Sequence, residues 1–126
     1  MSVSTSLAVA VSAATILLVS AQSASAACTV RGTRYDPAQN DSVTWYATVT
    51  GGTCRITFRS LGSLVFTGTS VASRPSGGSV AMSGNTTANY RARAGFKGAD
   101  SVAFKVCGQG RSGSGCSTIT VQLTVD

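Results

Sequence analysis

The 126-residue sequence predicts an all-β fold: an antiparallel sandwich of seven or eight short strands carrying two disulfides. Three observations lead there. Val, Thr, Ser and Gly are abundant, while Glu, a good helix former, is absent. Beyond residue 42 apolar and polar side chains alternate in short runs between clusters of Gly, Pro, Asn and Asp, and no segment repeats with helical periodicity. The four cysteines sit at strand phases that pair them.

Residues 1–30 carry no charge, and Leu7 to Ser20 form a continuous apolar and small-residue run followed by AQSASA. That pattern predicts a signal peptide over residues 1–26, cleaved after Ala26, and one domain over residues 27–126. The first residues lack the usual Lys or Arg. A membrane anchor is the competing reading, but the run is short for a bilayer, so the mature chain is expected to have no membrane span. A secreted or periplasmic location follows.

In CTV, Cys28 shares a face with Val30. YDPAQND reads as a turn, which accounts for Asp36 and Asp41. VTWYATV places Val43, Trp45, Ala47 and Val49 inward, Trp45 as core, and Thr44, Tyr46 and Thr48 outward. After the turn TGG, Cys54, Ile56 and Phe58 point inward and Arg55, Thr57 and Arg59 outward, so Gly51-Gly52 predicts a hairpin joining the two strands. LGSLVFTG reads as an irregular connection or a short strand. TSVAS and GSVAMS flank the turn RPSGG, TANYRA is a short strand, GFKGAD a glycine-rich bend, and SVAFKVC and CSTITVQLTV form the last two strands.

Parity judges the cysteines. Val102, Phe104 and Val106 are the inward set of one strand, and Ile119, Val121, Leu123 and Val125 that of the next, so Cys107 and Cys116 both point outward. Placing those two opposite each other also sets Phe104 against Ile119 and Val102 against Val121, so the register that joins the sulfurs aligns the core. Cys28 and Cys54 remain, both on inward faces. The expected pairs are Cys28–Cys54 and Cys107–Cys116. A Cys54–Cys107 bridge is the alternative, disfavoured because the inferred faces disagree. Zinc or redox chemistry is not expected without histidine, close cysteine pairs or a CxxC motif.

NYRARAGFKGADSVAFKV followed by STITVQLTV resembles the bacterial immunoglobulin-like and cadherin-like domains of exported proteins, through Tyr90, Gly95, Phe96, Gly98, Asp100, Ser101, Phe104 and Val106. RPSGGSV resembles the Pro-x-x-Gly turn that precedes them. The resemblance covers about half of residues 27–126 and implies an Ig-like β-sandwich with a role in adhesion, spacing or display. It departs from the pattern at Cys107-Gly108, where many relatives carry an acidic residue able to hold calcium. With only Asp36, Asp41, Asp100 and Asp126 available, no metal or other cofactor is expected, and Asp100 is read as a brace for the glycine bend.

Ten Lys and Arg against four Asp give a net charge of +6, and all of them lie after residue 26. Without histidine or glutamate there is no ordinary catalytic triad or Glu acid/base pair, so the chain is not expected to be an enzyme. The expected role is a secreted β-sandwich module acting through surface contacts, with cell-envelope polysaccharide or protein as partner. The alternative is a binder of anionic glycan, envelope polymer or DNA. Its candidate polyanion contacts are Arg55 and Arg59 on one outward face, Arg91 and Arg93 on another, and Lys97, Lys105 and Arg111 from the bend and last hairpin. Outward Tyr46 is a candidate for stacking on a sugar.

Overall fold

β1 (Ala27–Arg31) opens the fold, and a 3-10 turn (Pro37–Gln39) leads into β2 (Ser42–Thr50). β3 (Thr53–Thr57), β4 (Val65–Ser73), β5 (Gly78–Ser83) and β6 (Thr87–Ala92) follow, and the long strands β7 (Gly98–Gly110) and β8 (Gly113–Val125) close it. The structure, a computed structural model, describes residues 27–58, 65–110 and 113–126. The expected export signal, Arg59, Arg111 and the first part of LGSLVFTG lie outside the described residues.

The strands form two sheets, one of five strands in the order β1-β2-β8-β7-β4 and one of three in the order β3-β6-β5. Their inner faces meet in a single core that includes Trp45, Val49, Ile56, Phe58, Tyr90, Phe104, Ile119 and Leu123. The alternation read from the sequence is the alternation of burial: Trp45, Ala47 and Val49 are buried between exposed Tyr46 and Thr48, and Cys54, Ile56 and Phe58 between exposed Arg55 and Thr57. A line of aromatic contacts runs through this core, from Tyr35 to Trp45 (centroids 5.9 Å), Trp45 to Phe58 (5.9 Å) and Phe58 to Phe104 (4.8 Å, edge to face).

Three features differ from the sequence expectation. β2 and β3 do not form a hairpin: β2 belongs to the five-stranded sheet and β3 to the other, so Gly51 and Gly52, both at positive φ (82° and 80°), turn the chain from one layer to the next. The inward set of β3 then faces that of β2 across the core instead of lying beside it. The sandwich is also not wholly antiparallel, because β2 pairs in parallel with β8, Ser42 opposite Thr118 through to Val49 opposite Val125. Finally, VFTG and TSVAS merge into one strand, β4, whose register against β7 shifts between Phe66 and Gly68 and again between Val71 and Ser73.

Both expected disulfides are present. Cys107 and Cys116 are direct partners in the β7–β8 ladder, which also opposes Phe104 to Ile119 and Val102 to Val121. Cys28–Cys54 joins β1 to β3 and therefore fastens one sheet to the other. No described cysteine is free.

Candidate functional site

The two sheets present different outer faces. On the three-stranded sheet, Arg55 of β3 lies opposite Asn89 of β6, which lies opposite Ala81 of β5; in the adjoining row, Thr53, Arg91 and Ser79 are aligned in the same way. Arg55 and Arg91 are thus diagonal neighbours on adjacent strands, both exposed. The small side chains of β5 leave open space beside them, a shallow groove of about 570 Å³. Among the described residues neither guanidinium has an ion pair or hydrogen bond, so both keep their donors for an external acceptor.

The other candidate cations are distributed around the molecule. Arg93 follows the end of β6 in the outward phase of Arg91, its N–H donating to the Gly77 carbonyl at 2.8 Å, and Lys97 is exposed in the next turn. Lys105 is on β7, opposite Thr118 and Ser70, and so belongs to the outer face of the five-stranded sheet. Hence Arg55 and Arg91 share one surface, Arg93 and Lys97 lie at its end, and Lys105 faces away from all of them. Arg59 and Arg111 are outside the described residues.

Tyr46 also stands on the five-stranded sheet, 61% exposed. It pairs with Arg31 of β1 on one side and Gln122 of β8 on the other, and Gln122 pairs with Ser101 of β7. The rows on either side are hydroxyl-bearing: Thr29, Thr48 and Thr124 in one, Thr44 and Thr120 in the other. Sequence reasoning did not single out Arg31, Asn89 or Gln122. Each was visible as an outward position, but what sets it beside its neighbour is pairing between strands distant in sequence, for which the chain has no local signal.

Beneath the arginine face a buried polar knot ties the Ser76–Gly77 turn to β6 and β7. The Asp100 carboxylate accepts from the Tyr90 hydroxyl at 2.7 Å, from the N–H groups of Ser76 and Gly77 at 3.0 Å each, and from its neighbour Ser101 at 2.9 Å. Burial pushes the carboxyl pKa up, but the Tyr90 hydroxyl and the backbone N–H groups of Ser101, Ser76 and Gly77 outweigh it, leaving it below the usual carboxylate value. The Tyr90 phenol moves the other way, raised by burial and then by Asp100, with Arg93 opposing. At the opposite end Asp36 caps the 3-10 turn, its carboxylate accepting from the Ala38 N–H at 3.0 Å, and Asp41 accepts from the Asp36 N–H at 2.9 Å. Three of the four aspartates are therefore committed to backbone geometry. No group of three or more His, Cys, Asp or Glu among the described residues is placed to hold a metal ion.

Two sheets packed face to face, with the second-half sequence pattern noted above, define an immunoglobulin-type sandwich. The model of the bacterial Ig domain family matches residues 5–124, and the chain belongs to that family. The match begins within the segment read from the sequence as an export signal. A search of curated proteins finds no match.

Proposed function

We propose that the chain is an exported, non-enzymatic Ig module that acts through surface contacts at the cell envelope or outside the cell, in adhesion, structure or display. The observation that carries this reading is the pair of disulfides, one fastening sheet to sheet and one fastening the last hairpin. Such bridges form and persist in oxidising compartments outside the cytoplasm. Family membership supports the absence of catalysis, and the aspartates spent on turns leave few groups for acid/base work. Native protein, harvested by cell fractionation with thiols alkylated at lysis, tests it. The expected species is periplasmic or extracellular, begins at Ala27 and carries no alkylated cysteine. A cytoplasmic species with four alkylated cysteines overturns the proposal.

A second reading is favoured by the register that sets Arg55 and Arg91 on one open face: contact with a polyanion such as envelope phosphate polymers or DNA. Retention of the protein on immobilised polyphosphate, reduced by salt and by the pair Arg55→Gln and Arg91→Gln, supports it. Unchanged retention of that double variant refutes it.

A further inference from the structure

The outer face of the five-stranded sheet has a composition of its own. Its central row, Arg31–Tyr46–Gln122–Ser101, crosses four strands with every member directly opposite the next. Threonine and tyrosine are good strand formers, so their presence alone decides nothing. What matters is the alignment: an exposed aromatic ring has a guanidinium on one side and a carboxamide on the other, in line across the strands. Among the described residues the rows flanking the ring on β1, β2 and β8 are threonines, and the ring stays open. The strand residues of this face include the cations Arg31 and Lys105 and no carboxylate; Asp126 comes only after the end of β8.

From this juxtaposition we infer that the Tyr46 row is a binding platform for a uronate-bearing polysaccharide lying across the strands. Adjacent strands are about 4.8 Å apart, comparable with the length of one pyranose unit, so the row presents about 14 Å of graded contacts to an extended sugar chain. The apolar face of one ring stacks on Tyr46. The carboxylate of the neighbouring sugar meets Arg31, whose planar fork suits two oxygens, and the Gln122 amide donates to and accepts from hydroxyls on the other side. The threonine rows lie about 7 Å to either side, within reach of hydroxyls projecting from the sugar chain. The polyanion groove of Arg55 and Arg91 is on the opposite side of the sandwich, so the two surfaces are separable by mutation. The inference rests on the surface-contact reading above, but not on the arginine groove.

Calorimetric titration of the purified, disulfide-intact domain with guluronate oligomers, cello-oligomers and polyphosphate tests it. Binding of the uronate oligomer is expected to exceed that of the neutral one. Tyr46→Ala is expected to weaken uronate binding about tenfold, the loss of one stacked ring. Arg31→Gln should abolish the preference for uronate over the neutral chain, and the Arg55→Gln, Arg91→Gln pair should bind uronate as the parent does. Circular dichroism of each variant matching the parent confirms that folding is intact. Uronate binding unchanged in Tyr46→Ala, uronate binding lost with Arg55 and Arg91 instead, or no uronate binding by the folded parent overturns the platform. Localisation and thiol status are read in a different experiment, so failure of the export reading is distinguishable from failure of this one.

Discussion

Tyr90 and Asp100, ten residues apart in sequence and on different sheets, meet in the core with the phenol hydroxyl 2.7 Å from the carboxylate. The same carboxylate takes N–H groups from the Ser76–Gly77 turn, so a single acidic side chain fastens β6, β7 and the approach to β5 together. Its pKa is depressed in the folded state, whereas the unfolded value is about 3.9. The stability it contributes is therefore fully present above that unfolded value and is lost as pH falls through the folded one. Urea midpoints measured from pH 6 downward should show this decline in the parent and a flatter profile in Asp100→Asn. At neutral pH Tyr90→Phe should cost about 1.5–3 kcal/mol, the worth of a hydrogen bond to a charged group.

Tyr35 gives the opposite case. It is buried, and its hydroxyl has no hydrogen-bond partner among the described residues. Burial pushes its pKa up to about 12. Tyr35→Phe should change stability at neutral pH by less than about 1 kcal/mol, in either direction, since no bond is broken. The stability linked to the protonated phenol is present below the unfolded value of about 10 and is lost as pH rises toward the folded value. Denaturant titrations at pH 8 and pH 11 should then show the phenylalanine variant gaining on its parent at the higher pH.

The two disulfides should differ in worth. Cys28–Cys54 has a sequence separation of 26 and Cys107–Cys116 a separation of 9. On chain entropy alone their removal costs about 3.5 and about 2.5 kcal/mol respectively. Paired serine substitutions, followed by urea unfolding, should reproduce that order. The inter-sheet pair should also produce the larger rise in binding of an apolar dye, since that bridge holds the layers together.

Two glycines test the sheet packing. A Cβ on Gly78 would strike the carbonyl of Arg91 on the neighbouring strand, where backbone cannot yield, whereas a Cβ on Gly68 meets nothing within 4 Å. Gly78→Ala should lose about 1–3 kcal/mol, and Gly68→Ala should be neutral or gain up to about 1 kcal/mol. Thermal melts of the two variants side by side provide the comparison.

Strand phase was legible in the sequence to the level of single residues, as Trp45 against Tyr46 and Cys54 against Arg55 demonstrate, because alternation is a local consequence of the pleat. The Cys107–Cys116 register was legible for the same reason, since two inward sets joined by one hairpin admit few alignments that also bring the sulfurs together. Layer assignment was not. Gly51-Gly52 has the composition of a hairpin turn, yet the same positive-φ pair also serves to carry a chain across a sandwich, and nothing within ten residues distinguishes the two. The parallel β2–β8 pairing was illegible because its partners are separated by more than half the chain. That blindness extended to the surface: Arg55 beside Asn89, and Tyr46 between Arg31 and Gln122, follow only from the pairing.

The parallel ladder also sets an order of events. Residues 42–49 find their partner in residues 118–125, so the five-stranded layer has a gap at its centre until that strand arrives. Loop closure over so many residues is slow, and its entropy is lost before any contact repays it. A chain released N-terminus first, by a ribosome or through a pore, thus holds β1 and β2 apart from β7 and β4 until residues 118–125 emerge to join them.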